Sequence, residues 1–433
     1  MSGPVRRAGR HRHRGAAEPT ASGDNRGHGT APGHLTGHGH GHGPAVPSSR
    51  RVRMLLVAVL VPIALATLVG VWLTWPGEQP RRSDIDLGFG QRPVAAEVLD
   101  VGSAPCTGTA PAGSARVGEC TALTVRLTEG ASEGATIRQV LPDEPSTPQF
   151  SSGDKIVLAY SGGDPSDELS YQVVDFQRGS SMLWLAVLFA VAVLLLGRWK
   201  GLASLVALGF SFLVLVVYLF PAILGGADPV IVGVLAAGVI MFGVLYLSHG
   251  FSAQTSTAVL GTLLSLALIG VLGSAFTAAT KLTGLDSDAA NLISILGHGI
   301  DARGLLLAGV IIGALGVLDD VTVTQTSSVW ELRRANPDMG ARALYSSALR
   351  IGRDHISSAV NTLALAYAGA ALPVLLAYSL SGQTFGTLVT AQEVAQEVVR
   401  TLVGSIGLVA AVPITTALAA LISRHDDIPS SPG

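Results

Sequence analysis

Charge is scarce in this chain: 13% of its 433 residues are Asp, Glu, Lys or Arg, about half the share of an ordinary soluble domain. So few charges cannot solvate the exterior of a chain this long, which excludes a conventional soluble globular protein. Cysteine is nearly missing. Two residues, Cys106 and Cys120, exclude a cysteine-rich scaffold and a zinc ribbon. A formal net charge of −2 excludes a nucleic-acid binder that works through bulk positive charge. The chain has no Gly-x-x-x-x-Gly-Lys loop for a built-in ATPase motor and no His-Glu-x-x-His pair for a metalloprotease. No Gly-x-Ser-x-Gly hydrolase elbow is expected either. The expectation is a protein that is no enzyme, with no cofactor.

What fills the chain instead is apolar: 48% of residues are hydrophobic and the mean hydropathy is +0.49. The charges that exist are segregated. Residues 1–53 hold nine Arg against Glu18 and Asp24, net +7, whereas residues 76–181 hold eight basic and fifteen acidic groups, net −7.

Residues 1–53 are rich in Gly, Pro, Ser, Arg and His, with too little apolar surface to offset ordering entropy, and read as a disordered cytoplasmic tail. Seven of the eleven histidines lie in it. His38, His40 and His42, spaced by glycine, are metal-ligand candidates through neutral imidazole. A solvated tail without a fixed geometry is the favoured alternative, so no metal site is assigned.

The first membrane helix is expected over 54–75, where Leu55 to Trp75 is a run of 21 uncharged residues, long enough for a hydrocarbon core of about 30 Å. A cleaved signal peptide is disfavoured by that length and by the ending Trp-Leu-Thr-Trp-Pro. Residues 76–181 alternate in the manner of strands, at Val94–Val101, Arg116–Leu127, Ala135–Val140, Lys155–Tyr160 and Tyr171–Phe176. They are separated by turn clusters such as Gly-Gly-Asp-Pro, which predicts a small external β-rich domain of barrel, sandwich or OB-like form. Cys106 and Cys120 both fall there. An oxidising exterior favours a disulfide between them, the alternative being two thiols too far apart to bond.

Seven further apolar runs lie within 182–422: Met182–Leu196, Leu202–Phe220, Val230–Leu247, Thr257–Ala278, Gly304–Val321, Ser357–Tyr378 and Thr401–Ile422. Ala289–Gly297 is too short to cross and reads as interfacial or re-entrant. Gln392–Val399 reads as a short amphipathic surface helix, and 423–433 as a cytoplasmic C-terminal tail. The expected fold class is an all-α polytopic bundle of about eight spans carrying a small β-rich domain and a disordered N-terminal tail. Arg198, Lys200, Arg333, Arg334, Arg342, Arg350, Arg353 and Arg424 gather on the face of the Arg-rich tail, with Lys281, Arg303 and Arg400 opposite. That bias puts both termini in the cytoplasm, and the expected location is the cell membrane.

Within these runs, Asp319 and Asp320 follow fifteen apolar residues, about 22 Å of helix, and an ionised carboxylate at such a depth must be paired, hydrated or protonated. Asp320, Thr324 and Ser328 share one helical face, with Asp319, Thr322 and Thr326 beside them. Asp354, Ser358 and Asn361 share a face in the next span. Intramembrane acids commonly mark ion pathways, and structural hydrogen bonding between the stripes is the alternative.

The stretch Ile-Asp-Ala-Arg-Gly-Leu-Leu-Leu-Ala-Gly-Val-Ile-Ile-Gly-Ala-Leu-Gly-Val-Leu-Asp-Asp-Val, Ile300 to Val321, resembles the most characteristic segment of the YibE/F family. Gly352-Arg353-Asp354, Asn361-Thr362-Leu363 and Ala366-Tyr367-Ala368-Gly369 are similar to it too. The resemblance covers roughly residues 90–422. It implies a multi-pass bacterial membrane protein, described as a permease without an established substrate. Arg303, Asp320, Asp354 and Asn361 are the candidates it carries over. The family's acidic position corresponds to Asp320, and Asp319 falls where relatives carry an apolar residue. The leading expectation is a secondary transporter coupled to protons or another cation through Asp320 and Asp354. Its partners would be the lipid bilayer and a small solute or ion, with no nucleic acid. The alternative is a non-transporting scaffold or sensor whose β domain binds an envelope protein, or a homo-oligomer.

Overall fold

The computed structural model describes residues 49–77, 92–106, 119–143, 147–285, 300–380, 382 and 384–424. Residues 1–48 of the expected tail, with its histidines, and the Ala289–Gly297 segment lie outside the described residues, whereas residues 50–53, expected at the end of the disordered tail, already belong to a helix.

Helix α1 (Arg50–Leu73) begins at Ser49, whose hydroxyl accepts from the Val52 N–H, and is apolar almost throughout. Five strands follow: β1 (Arg92–Pro105), β2 (Glu119–Leu127), β3 (Thr136–Pro142), β4 (Lys155–Tyr160) and β5 (Tyr171–Phe176). All five expected strands are present. They form one antiparallel sheet in the order β3-β2-β1-β4-β5, built around the long β1, which pairs with β2 and β4. Alternation along the strands sends Val98, Leu123, Val125, Ile156 and Leu158 into a shared core with Phe150 and Tyr171. The Gln139 side chain of β3 donates to the Glu168 carbonyl just before β5 at 2.8 Å. The two outer strands are thereby drawn toward each other, and the sheet is curled. Cys106 and Cys120 are joined in a disulfide, Cα to Cα 5.2 Å, where β1 runs out against β2.

The helical part comprises α2 (Gly179–Val214), which passes through a π-turn at Leu215–Leu219 into α3 (Phe220–Leu224), then α4 (Pro229–His249) and α5 (Ala253–Ala279). After these come α6 (Ala302–Ala335), α7 (Ala341–Ala370), α8 (Leu372–Leu380), α9 (Phe385–Thr390) and α10 (Gln392–Ser423). Asp228, Ser252 and Asp301 cap α4, α5 and α6 with their side chains. Among the described residues, six helices are long and apolar enough to cross a membrane, and seven if the bent pair α7–α8 is one span.

The count differs from eight for a local reason. The two runs expected at Met182–Leu196 and Leu202–Phe220 are not separated by a loop. They join in one helical stretch of 46 residues, Gly179–Leu224, broken at a single residue, Arg198, with φ 50° and ψ −126°. The turn there is sharp: a Cβ on Gly201 would lie 2.3 Å from the Val193 carbonyl oxygen, eight residues back. In a straight helix those positions are about 12 Å apart. Dividing the stretch at Arg198 restores the eighth apolar segment.

Two other boundaries move. α7 starts at Ala341, well before the expected Ser357, because the charged segment Arg342–His355 is amphipathic helix that hydropathy alone passes over. α7 and α8 meet at a bend of 61°, where Pro373 has no N–H to give to a continuing helix. The expected surface helix Gln392–Val399 is not a separate element. It is the first two turns of α10, since nothing in the segment breaks the helix that runs on through Thr401.

The core of the bundle is built by α4, α5, α6 and α10, where Val232, Met241, Ile269, Leu318, Leu408 and Ala411 are buried. α1 adds only Leu60 to it, and the first half of α2 lies outside it, with Met182, Leu183, Trp184, Leu188 and Phe189 largely exposed. A surface of this kind is stable only against hydrocarbon.

Candidate functional site

α6 crosses the bundle centre, and its two polar stripes point in opposite directions. Thr322 and Thr326 are fully buried. The Thr322 hydroxyl lies 2.8 Å from that of Thr262 on α5, Gln254 on α5 donates to the Ser327 hydroxyl at 2.6 Å, and Gln325 donates to the Ala348 carbonyl on α7 at 2.8 Å. These bonds tie α5, α6 and α7 together at one end of the bundle. Asp319 stands on this side, half-buried, with Oδ1 buried and without a hydrogen-bond partner.

Asp320 faces the other way. Its side chain is 80% exposed, and His355 Nε2 of α7 stands 3.9 Å from its Oδ2. Seventeen residues of α6, Ala302 to Leu318, rise about 26 Å before the aspartates, and the charged half of α7 lies alongside. Asp320 therefore sits where the hydrocarbon ends rather than deep within it. Thr324, half-buried, offers its carbonyl to the Ser328 hydroxyl at 2.9 Å. Asp354 and Asn361 are exposed on the outer face of α7. Asp320 thus meets His355, the residue next to Asp354, and no hydrogen bond joins the Asp320 and Asp354 stripes among the described residues. Arg303, at the first turn of α6, reaches the Ser274 carbonyl of α5 at 3.4 Å and lies at the far end of the helix from Asp320.

The structure also shows a site that no motif announced. A cavity of about 540 Å³ opens between α7, α8 and the start of α10. Ala364, Ala368, Val374, Val394 and Leu402 give it apolar walls, and Tyr367, Gln396, Glu397 and Arg400 bring polar groups to it. Arg400 and Glu397 form an ion pair at 2.8 Å, each about a quarter exposed. Gln396 is 3% exposed, and its Nε2 has no acceptor among the described residues. Tyr367 connects this cavity to α6: its hydroxyl oxygen lies 2.8 Å from the point a Cβ on Gly313 would occupy. Gly313, Gly316 and Asp320 follow at i, i+3 and i+7 on the same face of α6. The one available signal in the sequence was polar residues at i, i+1 and i+4 in 396–400, obscured when that segment was read as a surface helix.

One motif reading needs correction. Gly130-Ala131-Ser132-Glu133-Gly134 has the Gly-x-Ser-x-Gly spacing. It is the tight connection between β2 and β3, with the Gly134 N–H bonded to the Leu127 carbonyl at 2.8 Å. A nucleophile elbow needs a strand-to-helix turn, and a hairpin does not provide one. Among the described residues no group of three or more His, Cys, Asp or Glu could hold a metal ion.

Long apolar helices, a lipid-exposed periphery and polar bonds confined to the interior define an integral, multi-pass membrane protein. Residues 185–425 match the YibE/F-like protein family. That is more than half of the chain, and the chain belongs to this family. The match begins inside α2, so the β domain lies outside it, a shorter reach than the resemblance over 90–422 implied. No curated protein and no solved structure matches the chain.

Proposed function

We propose that the protein is a secondary transporter that carries a small solute through the bundle. The observation that carries this reading is the cavity beside α10, a space of ligand size within a membrane bundle that combines apolar walls with the polar groups of Tyr367, Glu397 and Arg400. Tyr367 stands between the cavity and the Gly313–Gly316–Asp320 face of α6. On this reading the Asp320–His355 pair couples solute movement to protons. The loop-charge bias supports a cell membrane location with both termini cytoplasmic, which puts the cavity at the external end and Asp320 at the cytoplasmic end.

The scaffold reading rests on the β domain. Its exposed large apolar side chains among the described residues are Val140, Leu169 and Val174, on different elements, which favours no docking patch. The test of transport is flux in proteoliposomes containing a pH-sensitive dye, challenged with a panel of solutes. Solute-dependent proton movement lost in Asp320→Asn supports the proposal. Solute movement absent across the panel, with the protein folded, removes it.

A further inference from the structure

We infer that the outer face of α7 is an interface between two copies of this chain, packed α7 against α7 within the membrane. The inference does not rest on the transport reading, and either holds without the other.

The face is polar where its surroundings are hydrocarbon. Arg353, Asp354, Ser357, Ser358 and Asn361 are all exposed on it. Two contacts of α7 with α6 fix their height. His355 stands level with Asp320, where the hydrocarbon ends, and Tyr367 reaches Gly313, seven residues back along α6 toward the bundle centre. Asn361 lies between these levels, six residues beyond His355, or about 9 Å deeper. Thr362 satisfies its hydroxyl within the helix, on the Ser358 carbonyl at 3.0 Å. The Asn361 side chain bonds to no described residue. An amide with two donors and an acceptor turned toward lipid is unfavourable, and membrane helices satisfy such groups across a helix–helix contact.

The order of the charges argues for a second copy rather than an unrelated chain. Consecutive helical residues are about 100° apart, so Arg353 and Asp354 stand on opposite sides of the line through Ser357 and Asn361. Two copies inserted with the same orientation are related by a two-fold axis along the membrane normal, which makes the contact self-complementary. The two α7 helices then run parallel, and each side of the line meets the opposite side of the other copy at the same height. Arg353 of each copy thus faces Asp354 of the other, twice over. Within one copy neither has an ion-pair partner among the described residues. Asn361 meets Asn361, and an amide both donates and accepts. Arg350, a turn nearer the cytoplasm, is already held within its own helix, donating to the Ser347 hydroxyl at 3.2 Å.

The experiment uses the full chain, labelled in separate batches with donor and acceptor dyes and reconstituted together in lipid vesicles over a range of protein-to-lipid ratios. Energy transfer reads association. The wild type is expected to associate saturably, and Asn361→Leu to need a protein density roughly three- to thirtyfold higher for the same transfer, as for hydrogen bonds lost between membrane helices. Removing an exposed amide breaks no contact within one copy, so the variant melts like the wild type and misfolding is excluded as the cause. The charges give a second reading. Asp354→Arg alone and Arg353→Asp alone each set like charges against one another across the axis and weaken association. The two variants mixed bring opposite charges together at both contacts and associate better than either alone. Three results overturn the inference. One is a wild type that stays monomeric at every ratio, as for a face that lines a water-filled groove. Another is association that Asn361→Leu leaves unchanged, and the third is a mixture no better associated than its components.

Discussion

Gln325 Nε2 donates to the Ala348 carbonyl at 2.8 Å, one helical turn before Gly352, whose missing Cβ would lie 2.7 Å from Gln325 Oε1 and 2.5 Å from Val412 Cγ1. Here α7 is pressed against both α6 and α10, and only a residue without a side chain fits. This gives a physical reason for the glycine in the Gly352-Arg353-Asp354 motif. Gly352→Ala is expected to destabilise the bundle by about 1–3 kcal/mol through overpacking. Gln325→Ala is expected to cost about as much, from a lost buried hydrogen bond and a cavity. Thermal unfolding in detergent checks both. A wild-type melting temperature for Gly352→Ala would show that the helices are not in close contact.

The disulfide between Cys106 and Cys120 ties β2 to the end of β1. Both thiols are expected to resist alkylation in denatured protein until it is reduced. Closing a loop of about fifteen residues stabilises by about 3 kcal/mol in the chain-entropy model, so Cys120→Ala should loosen the β domain and leave the helices intact. Hydrogen exchange read separately over β1–β3 and α4–α6 distinguishes this from global loss. Ready labelling before reduction would contradict the bond.

Acid should act late at the exposed turn before β5. Ser166 donates its hydroxyl and its N–H to Asp164 at 2.6 and 2.9 Å. These bonds hold the Asp164 carboxyl below the usual carboxylate range, the hydroxyl most of all. A lowered folded-state pKa means the contribution is full above the unfolded value and is lost as pH falls through the folded one. Ser166→Ala is expected to move that loss to higher pH. The check is exchange of the 161–170 segment, corrected for the intrinsic rate, as pH is lowered. No difference between the two proteins would remove the Ser166 contribution.

The sequence made the strands legible because period-2 alternation and glycine turns are local, and Lys155–Tyr160 and Tyr171–Phe176 match residue for residue. It made the apolar spans legible for the same reason. It was silent where the outcome depends on packing. Asp319 and Asp320 are adjacent in sequence and about 100° apart on the helix, so spacing defined two stripes without saying which one turns inward. The reversal at Arg198 rests on a single residue with positive φ. The cavity assembles residues 364–375 with 393–402, and no spacing rule joins segments that meet only through the bend at Pro373.

Topology follows from the loop charges. A reporter fused after Arg424 is expected to be active only in its cytoplasmic form, and one inserted near Asp164 only in its external form. Dividing the Gly179–Leu224 stretch at Arg198 gives an even number of crossings. N- and C-terminal reporters on opposite faces would mean that this stretch does not reverse and that the crossing number is odd.

Asp320 and Asp319 should separate cleanly under the same substitution. Asp320 is 80% exposed and, among the described residues, pairs with His355 at 3.9 Å. Exposed pairs of this kind contribute between zero and about 1 kcal/mol, so Asp320→Asn is expected to insert and melt like the wild type. Asp319 presents a buried oxygen to which no group donates, and a carboxylate in that position is costly. Asp319→Asn should therefore melt at the same or a higher temperature. The functional expectation differs between them. If the Asp320–His355 pair carries the coupling proton, Asp320→Asn abolishes flux that depends on a proton gradient while leaving abundance unchanged, and Asp319→Asn retains it. His355→Gln should reproduce the Asp320→Asn loss, because either change removes one member of the pair. Proton-coupled flux that survives in both Asp320→Asn and His355→Gln would place the coupling elsewhere in the bundle. A large drop in melting temperature for Asp320→Asn would show instead that the carboxylate holds α6 to α7.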